Sequence, residues 1–262
     1  MTRAQTVRRS VTAMAMDFTL DVHGGVREDT LDAVMAQVAK DLEWVDSTFS
    51  TWRDDSWISR LRRGQATVAD APALVVEVLD LCERFRDETD GAFDARGPDG
   101  LLDPTGIVKT WAMERVRWRL GLLGAGGWLW GCGGDATASG RGPAEGGWRI
   151  GIADPREEPG PQAATMRRIV LGRGMSAIAT SGHAHRQGHV WDPFSRAPAQ
   201  YFSQVSVAGD DLVKCDAWAT AVLAGGKRTL RKAEADGLAV LAMRVVDGSV
   251  RASATAAWSV IG

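Results

Sequence analysis

Residues 203–226 read SQVSVAGDDLVKCDAWATAVLAGG, and two periodicities meet inside that stretch. Up to residue 207 polar and apolar side chains alternate, which predicts a strand. From residue 212 to residue 223 the apolar positions follow helical spacing, and Gly225 with Gly226 predicts the stop. Downstream, residues 239–246 and 249–253 alternate on either side of Asp247-Gly248, a two-residue hairpin turn. Upstream, residues 148–152, 168–171 and 177–180 read as further strands. Leu31, Val34, Met35, Val38, Leu42 and Val45 mark one helix, opened by Glu28 and Asp29 where the helix dipole favours acids. A second helix follows Pro72 and runs to about Glu88, and a third covers residues 107–122. Strict strand–helix–strand alternation is missing, so the expected class is α+β, a mixed or antiparallel sheet flanked by helices.

The length of 262 residues corresponds to about 1.7 average domains. No repeat or linker divides the chain, so a single domain over residues 1–262 is expected. With 45% apolar and 24% charged residues there is material for a core and no case for global disorder. The formal charge of -2 excludes a general attraction to nucleic acid or anionic membrane. The longest weakly polar stretch, residues 120–134, is shorter than the ~20 residues a membrane helix needs. Arg3, Arg8 and Arg9 are not followed by the apolar run of a secretory signal. Cys82, Cys132 and Cys215 match neither a disulfide framework nor a zinc pattern. A cytoplasmic location is expected.

Four clusters carry chemistry. Residues 103–109, DPTGIVK, feed a helix whose first N–H groups favour anions, with Lys109 adding a mobile positive charge; taken alone, the segment reads more simply as a plain helix cap with a surface lysine. Gly133-Gly134-Asp135 allows close approach of a ligand, or is a tight turn. Thr180-Ser181-Gly182 could hold a phosphate, and His189, ahead of Asp192-Pro193, could move a proton near neutral pH. His183 and His185 lie nearby, but no carboxylate or cysteine completes a zinc-like set. On the last predicted helix Asp216 and Thr220 are four apart, so two hard oxygen donors share one face, which suits Mg²⁺. The alternative is an acid serving the helix dipole and a threonine in the core. Trp111, Trp148 and Trp218 fall inside predicted elements and read as core.

Taken in order, these clusters resemble the ApbE family of flavin transferases. Phe49-Ser50-Thr51-Trp52 with Asp55-Ser56-Trp57-Ile58-Ser59-Arg60-Leu61 is similar to the family's S-T-Y/W … D-S-x-I-S-x-L, and Gly91-Ala92-Phe93-Asp94 to its G-A-F-D. Residues 105–110 resemble G-G-I-A-K-G, Gly133-Gly134-Asp135 resembles G-G-D, and Thr180-Ser181-Gly182 resembles T-S-G. His189 to Pro193 is similar to H-I-I-D-P, and Asp216 to Thr220 to D-A-x-x-T.

The resemblance implies a T-fold-related globule that moves FMN from FAD onto a threonine or serine of an acceptor protein carrying a D-G-x-[ST]-G-A-[ST]-like motif, with release of AMP. It implies Mg²⁺ held by Asp216, Thr220 and the carbonyl of Val108, and His189 as the base, so that His189 and Asp216 carry the catalysis. Met16, Asp94, Gly106, Lys109, Gly134, Asp135, Thr180, Ser181, Gly182 and His189 would meet the flavin nucleotide. The sequence departs from the pattern where Asp17 and Phe18 follow Met16, where Thr105 and Thr110 stand for glycines, and where Arg62 stands for the family's usual Asn, so a bulkier, more charged rim is expected. The segment between Gly182 and His189 is short, which predicts a reduced lid. An FAD diphosphatase and a non-catalytic flavin-binding protein are the competing readings.

Overall fold

The computed structural model describes residues 6–157, 162–172, 174–183 and 190–261. The chain opens with a hairpin, β1 (Thr6–Ala13) and β2 (Met16–His23), paired antiparallel through Ala13 and Met16. Its two turn residues, Met14 and Ala15, take φ of 51° and 56°, the left-handed pair that a tight hairpin demands. Next comes α1 (Glu28–Phe49), which buries Leu31, Met35, Val38, Leu42, Val45 and Phe49 at helical spacing. A short α2 (Trp57–Arg62) is capped by Ser56, whose hydroxyl accepts the Ser59 N–H. After Pro72, α3 (Ala73–Glu88) buries Val75, Val78, Cys82 and Phe85. α4 (Thr105–Gly121) then leads to β3 (Gly127–Cys132) and β4 (Asp135–Gly140), joined by Gly133 and Gly134.

β5 (Gly147–Ala153) and β6 (Thr165–Gly172) form a separate antiparallel pair. β7 (Ala177–Gly182) returns to the main sheet, and β8 (Trp191–Asp192) with β9 (Ala197–Pro198) makes a small arm. β10 (Gln204–Gly209), α5 (Leu212–Ala235), β11 (Ala239–Val246) and β12 (Ser249–Ala254) complete the fold. The main sheet has the order β1-β2-β3-β4-β7-β10-β11-β12, and every pairing in it is antiparallel.

The two faces of this sheet are covered differently. One carries the large core, in which Phe18, Leu20, Ala179, Val205 and Val207 meet the helices. The other carries Ala136, Ile178, Leu241 and Met243 against Trp148, Ile152, Ile169 and Leu171 of the β5–β6 pair, with Trp258 beside them. The expected α+β class with an antiparallel sheet is what the chain adopts, with its helices gathered on one face. Trp111, Trp148 and Trp218 are buried, as their positions inside elements predicted. Cys82, Cys132 and Cys215 are free and buried, and burial pushes the Cys82 and Cys132 thiols up to about 12. Among the described residues no helix is long and apolar enough to cross a membrane.

The predicted end of the last helix needs correction. Gly226 does leave helical geometry, at φ 60° and ψ -140°, but the chain resumes as helix to Ala235. A Cβ at Gly226 would meet the Tyr201 side chain at 3.3 Å, so a glycine suits the kink, and buried Thr229 and Ala233 hold the second segment against the core. Glycine pairs interrupt a helix locally, whereas packing decides whether it restarts.

Candidate active site

α5 lies across β7 and β10 and packs against α4, so one buried junction receives side chains from both helices and from two strands. Asp216 and Thr220 share a face of α5, one turn apart. Lys109 and Thr110 come from α4, Asp135 opens β4, and Ser181 lies near the end of β7. Lys109 Nζ stands 2.5 Å from Asp135 Oδ2. The other carboxylate oxygen of Asp135 accepts the Thr180 backbone N–H at 3.0 Å, which ties β4 to β7. Thr110 Oγ1 lies 2.9 Å from Asp216 Oδ2, and Ser181 Oγ lies 3.1 Å from Thr220 Oγ1.

Charge is unbalanced in this junction. Asp135 and Asp216 are 2% and 5% exposed, and Lys109 is the ammonium that faces both. Burial works against the Lys109 charge, but the fields of Asp135 and Asp216 outweigh it and raise its pKa, so it stays protonated. Burial lifts the Asp216 carboxyl, Asp135 lifts it further, and Lys109 and Thr110 offset this only in part, leaving it at about 7. Ionised, the cluster carries one negative charge too many, which a buried site relieves by binding a proton or a cation. Asp216 Oδ1 accepts no hydrogen bond from the described residues, and Thr220 offers a second hard oxygen beside it. Val108, in the second turn's approach of α4, has its carbonyl inside the helical ladder and one lone pair to spare. Oxygen donors with a deficit of positive charge fit Mg²⁺. No group of three or more His, Cys, Asp or Glu that could hold a metal occurs among the described residues.

The other predicted site residues are distributed as follows. Gly134 brings β4 against β7, since a Cβ there would stand 2.9 Å from the Thr180 carbonyl oxygen. Gly106 packs on Phe93, and Gly182 faces Gln204 across β7 and β10. Met16 begins β2, whose start pairs antiparallel beside the end of β3 and so lies near the Gly133-Gly134 turn. Asp94 accepts the Arg96 N–H at 2.9 Å and lies 4.0 Å from Arg86, with no hydrogen bond into the junction. Thr180 and Ser181 leave opposite faces of their strand. Ser181 faces α5, while the Thr180 hydroxyl meets Ser206 Oγ at 2.8 Å on the side of the β5–β6 pair. His189, His185 and residues 184–188 of the predicted lid lie outside the described residues.

Two expectations about the start of α4 are corrected. Its N–H groups are largely used already: Thr105 N–H bonds Asp103 at 3.1 Å and those of Ile107 and Val108 bond the Pro104 carbonyl, leaving the Gly106 N–H among the first four without such a bond. Nor is Lys109 a mobile surface charge, because Asp135 holds it.

A family model for the ApbE family matches residues 12–96 and 95–242. The chain belongs to the ApbE family. Its fold is similar to that of the flavin transferase ApbE from Vibrio cholerae, at a TM-score of 0.82 and 21% identity over 99% of this chain and 100% of that one. The apo flavinyl transferase ApbE of Pseudomonas stutzeri matches at 0.79 and 22% identity, covering 98% of this chain and 97% of that one. The ApbE protein of Thermotoga maritima matches at 0.81 and 18%, covering 98% and 99%. No curated protein matches by sequence.

Within this ApbE chain the threonines expected to thicken a rim do something else. Thr105 turns its hydroxyl to Asp103 at 2.6 Å, and Thr110 is fully buried against Asp216. The contributions of Thr110 and Ser206 were not predicted from the sequence. Thr110 was noted as a departure, and Ser206 was hidden in an alternating strand whose register with Thr180 the sequence does not supply.

Proposed function

We propose that this chain transfers FMN from FAD to a threonine or serine hydroxyl of an acceptor protein, with Mg²⁺ as its metal and AMP as the second product. The observation that carries the reading is the buried excess of negative charge around Asp216, beside hydroxyls that face the same space. Membership of the ApbE family and a fold shared with flavin transferases of Vibrio cholerae and Pseudomonas stutzeri supply the chemistry to test. Mg²⁺, when bound, would neutralise the diphosphate and hold it for in-line displacement.

The chain's own groups then have separable tasks. Asp216 Oδ1, the Thr220 hydroxyl and the Val108 carbonyl are the oxygens offered to the metal. Ser181, steadied by Thr220, can donate to a phosphate oxygen. Lys109 and Asp135 join α4 to β4 and fix the wall of the site. The acceptor oxygen forms a bond to the FMN-side phosphorus as the bond from that phosphorus to the AMP oxygen breaks. The hydroxyl proton passes to a base, assigned to His189, and AMP leaves with the electron pair. The flavin ring undergoes no redox change. Met16, Asp94, Gly106, Gly134, Asp135, Thr180 and Gly182 would border the nucleotide, the acceptor would present a D-G-x-[ST]-G-A-[ST]-like motif, and the chain would act as one domain in the cytoplasm.

The test is incubation with FAD and MgCl₂, with and without a small domain bearing that motif, followed by intact mass of the domain and chromatography of the nucleotides. A domain heavier by one FMN, with AMP formed in step, supports the transferase. FMN and AMP with the domain unchanged would make the protein a diphosphatase, and intact FAD would make it a binding protein.

A further inference from the structure

Resting on the metal reading above, we propose that Thr110 sets the cation preference of this site by occupying one oxygen of Asp216 and leaving the carboxylate a single oxygen to offer. Thr110 is fully buried in α4, and its hydroxyl lies 2.9 Å from Asp216 Oδ2 and 3.1 Å from the Ile107 carbonyl oxygen. A threonine in a helix has few χ1 choices, so the hydroxyl is held where it is. It has one proton, and an ionised carboxylate is the stronger of the two acceptors. Oδ1, by contrast, accepts no hydrogen bond from the described residues.

A carboxylate tied at one oxygen meets a cation through the other. Mg²⁺ accepts this readily, because it wants six ligands in near-ideal octahedral array and commonly takes one oxygen from each carboxylate. Ca²⁺ takes six to eight oxygens and gains from a carboxylate that turns both towards it. Thr110 therefore works against the two-oxygen mode and favours the smaller ion. It touches neither metal nor substrate, and acts by positioning Asp216.

The experiment titrates the full chain, without nucleotide, with MgCl₂ and separately with CaCl₂ by calorimetry, for the unsubstituted protein and for Thr110→Val, Thr110→Ala and Thr110→Ser. Valine keeps the branched shape and loses the proton, alanine carries the same test should valine fail to fold, and serine restores the donor. The ratio of Mg²⁺ to Ca²⁺ affinity is expected to move about tenfold towards Ca²⁺ in the valine and alanine variants and to stay within about twofold in the serine variant. Equal loss of both affinities, or no change in either, overturns the role of Thr110 and leaves the metal site standing. Binding of neither ion by the unsubstituted chain overturns the metal reading and this inference with it.

Discussion

Asp154 and Asp216 are both shielded from water, at 3% and 5% exposure, yet they are kept in opposite electrical states. Asp154 lies just beneath the surface under Arg156, whose guanidinium reaches it at 2.6 Å and whose backbone N–H bonds it at 2.9 Å. Those hydrogen bonds hold its carboxyl below the ordinary range. Asp216 lies deep between α4 and α5, shares Lys109 with Asp135, and is pushed up to about 7. A carboxylate with its own cation is structural. One that has to share a cation is held ready for another ligand, which is why the second region and not the first reads as the site.

The strongest way to break this contrast is to remove each acid. Asp216→Ala is expected to lower Mg²⁺-dependent transfer by more than about 100-fold, since on the proposed reading a metal ligand goes with it. A variant that turns over at the unsubstituted rate would end the metal assignment. Lys109→Met strips the shared cation and leaves two buried acids facing each other, at a cost of about 3 to 5 kcal/mol in denaturant unfolding. A cost under about 1 kcal/mol would mean that water already reaches the junction.

How much of this could be read in the sequence follows from the range of the interactions. α1 and α3 are local, and the sequence pattern marks the start of α1 and both ends of α3. The β11–β12 hairpin was legible because Asp247-Gly248 states its turn. The first hairpin was not, because Met14 and Ala15 carry no turn signature and adopt left-handed φ only under tertiary constraint. β3 escaped as well: GWLWGC is covered on both faces and does not alternate. In the site, Asp216 and Thr220 were found because their spacing is helical. Thr110 reaches Asp216 across 106 residues of sequence, a separation over which no local pattern carries information.

The two acids also respond to pH with opposite signs. In the metal-free chain Asp216 stays protonated up to about 7, whereas its unfolded form ionises near 3.8. Between those values the folded state binds the extra proton, so this group's contribution to stability falls as pH rises. Asp154, with its pKa lowered, contributes stability above the ordinary carboxylate range and loses it on acidification. On the proposed reading Mg²⁺ takes the place of the proton on Asp216, so it should raise Tm more at about pH 8 than at about pH 5. A larger Mg²⁺ shift on the acid side would exclude Asp216 as the responding group.

The smallest effect belongs to Asp154→Asn, and it sharpens the contrast most directly. The amide oxygen can still accept the Arg156 backbone N–H, so the turn survives, while the charge is lost and the Oδ2 acceptor of the guanidinium becomes an NH2 that cannot accept. Arg156 is 46% exposed and also donates to the Gly248 carbonyl at 2.9 Å, which ties the β11–β12 turn to the loop after β5. Solvent screens that ion pair, and the guanidinium keeps its second partner, so the loss is expected to be about 1 kcal/mol in denaturant unfolding, with transfer unchanged. Asp216→Asn, measured beside it without metal at about pH 8, should move the other way and stabilise the chain, because it removes a buried charge that has no cation of its own. Two substitutions that erase one charge each, with opposite signs in the same assay, would separate the acid that holds the fold from the acid that the fold holds for a ligand.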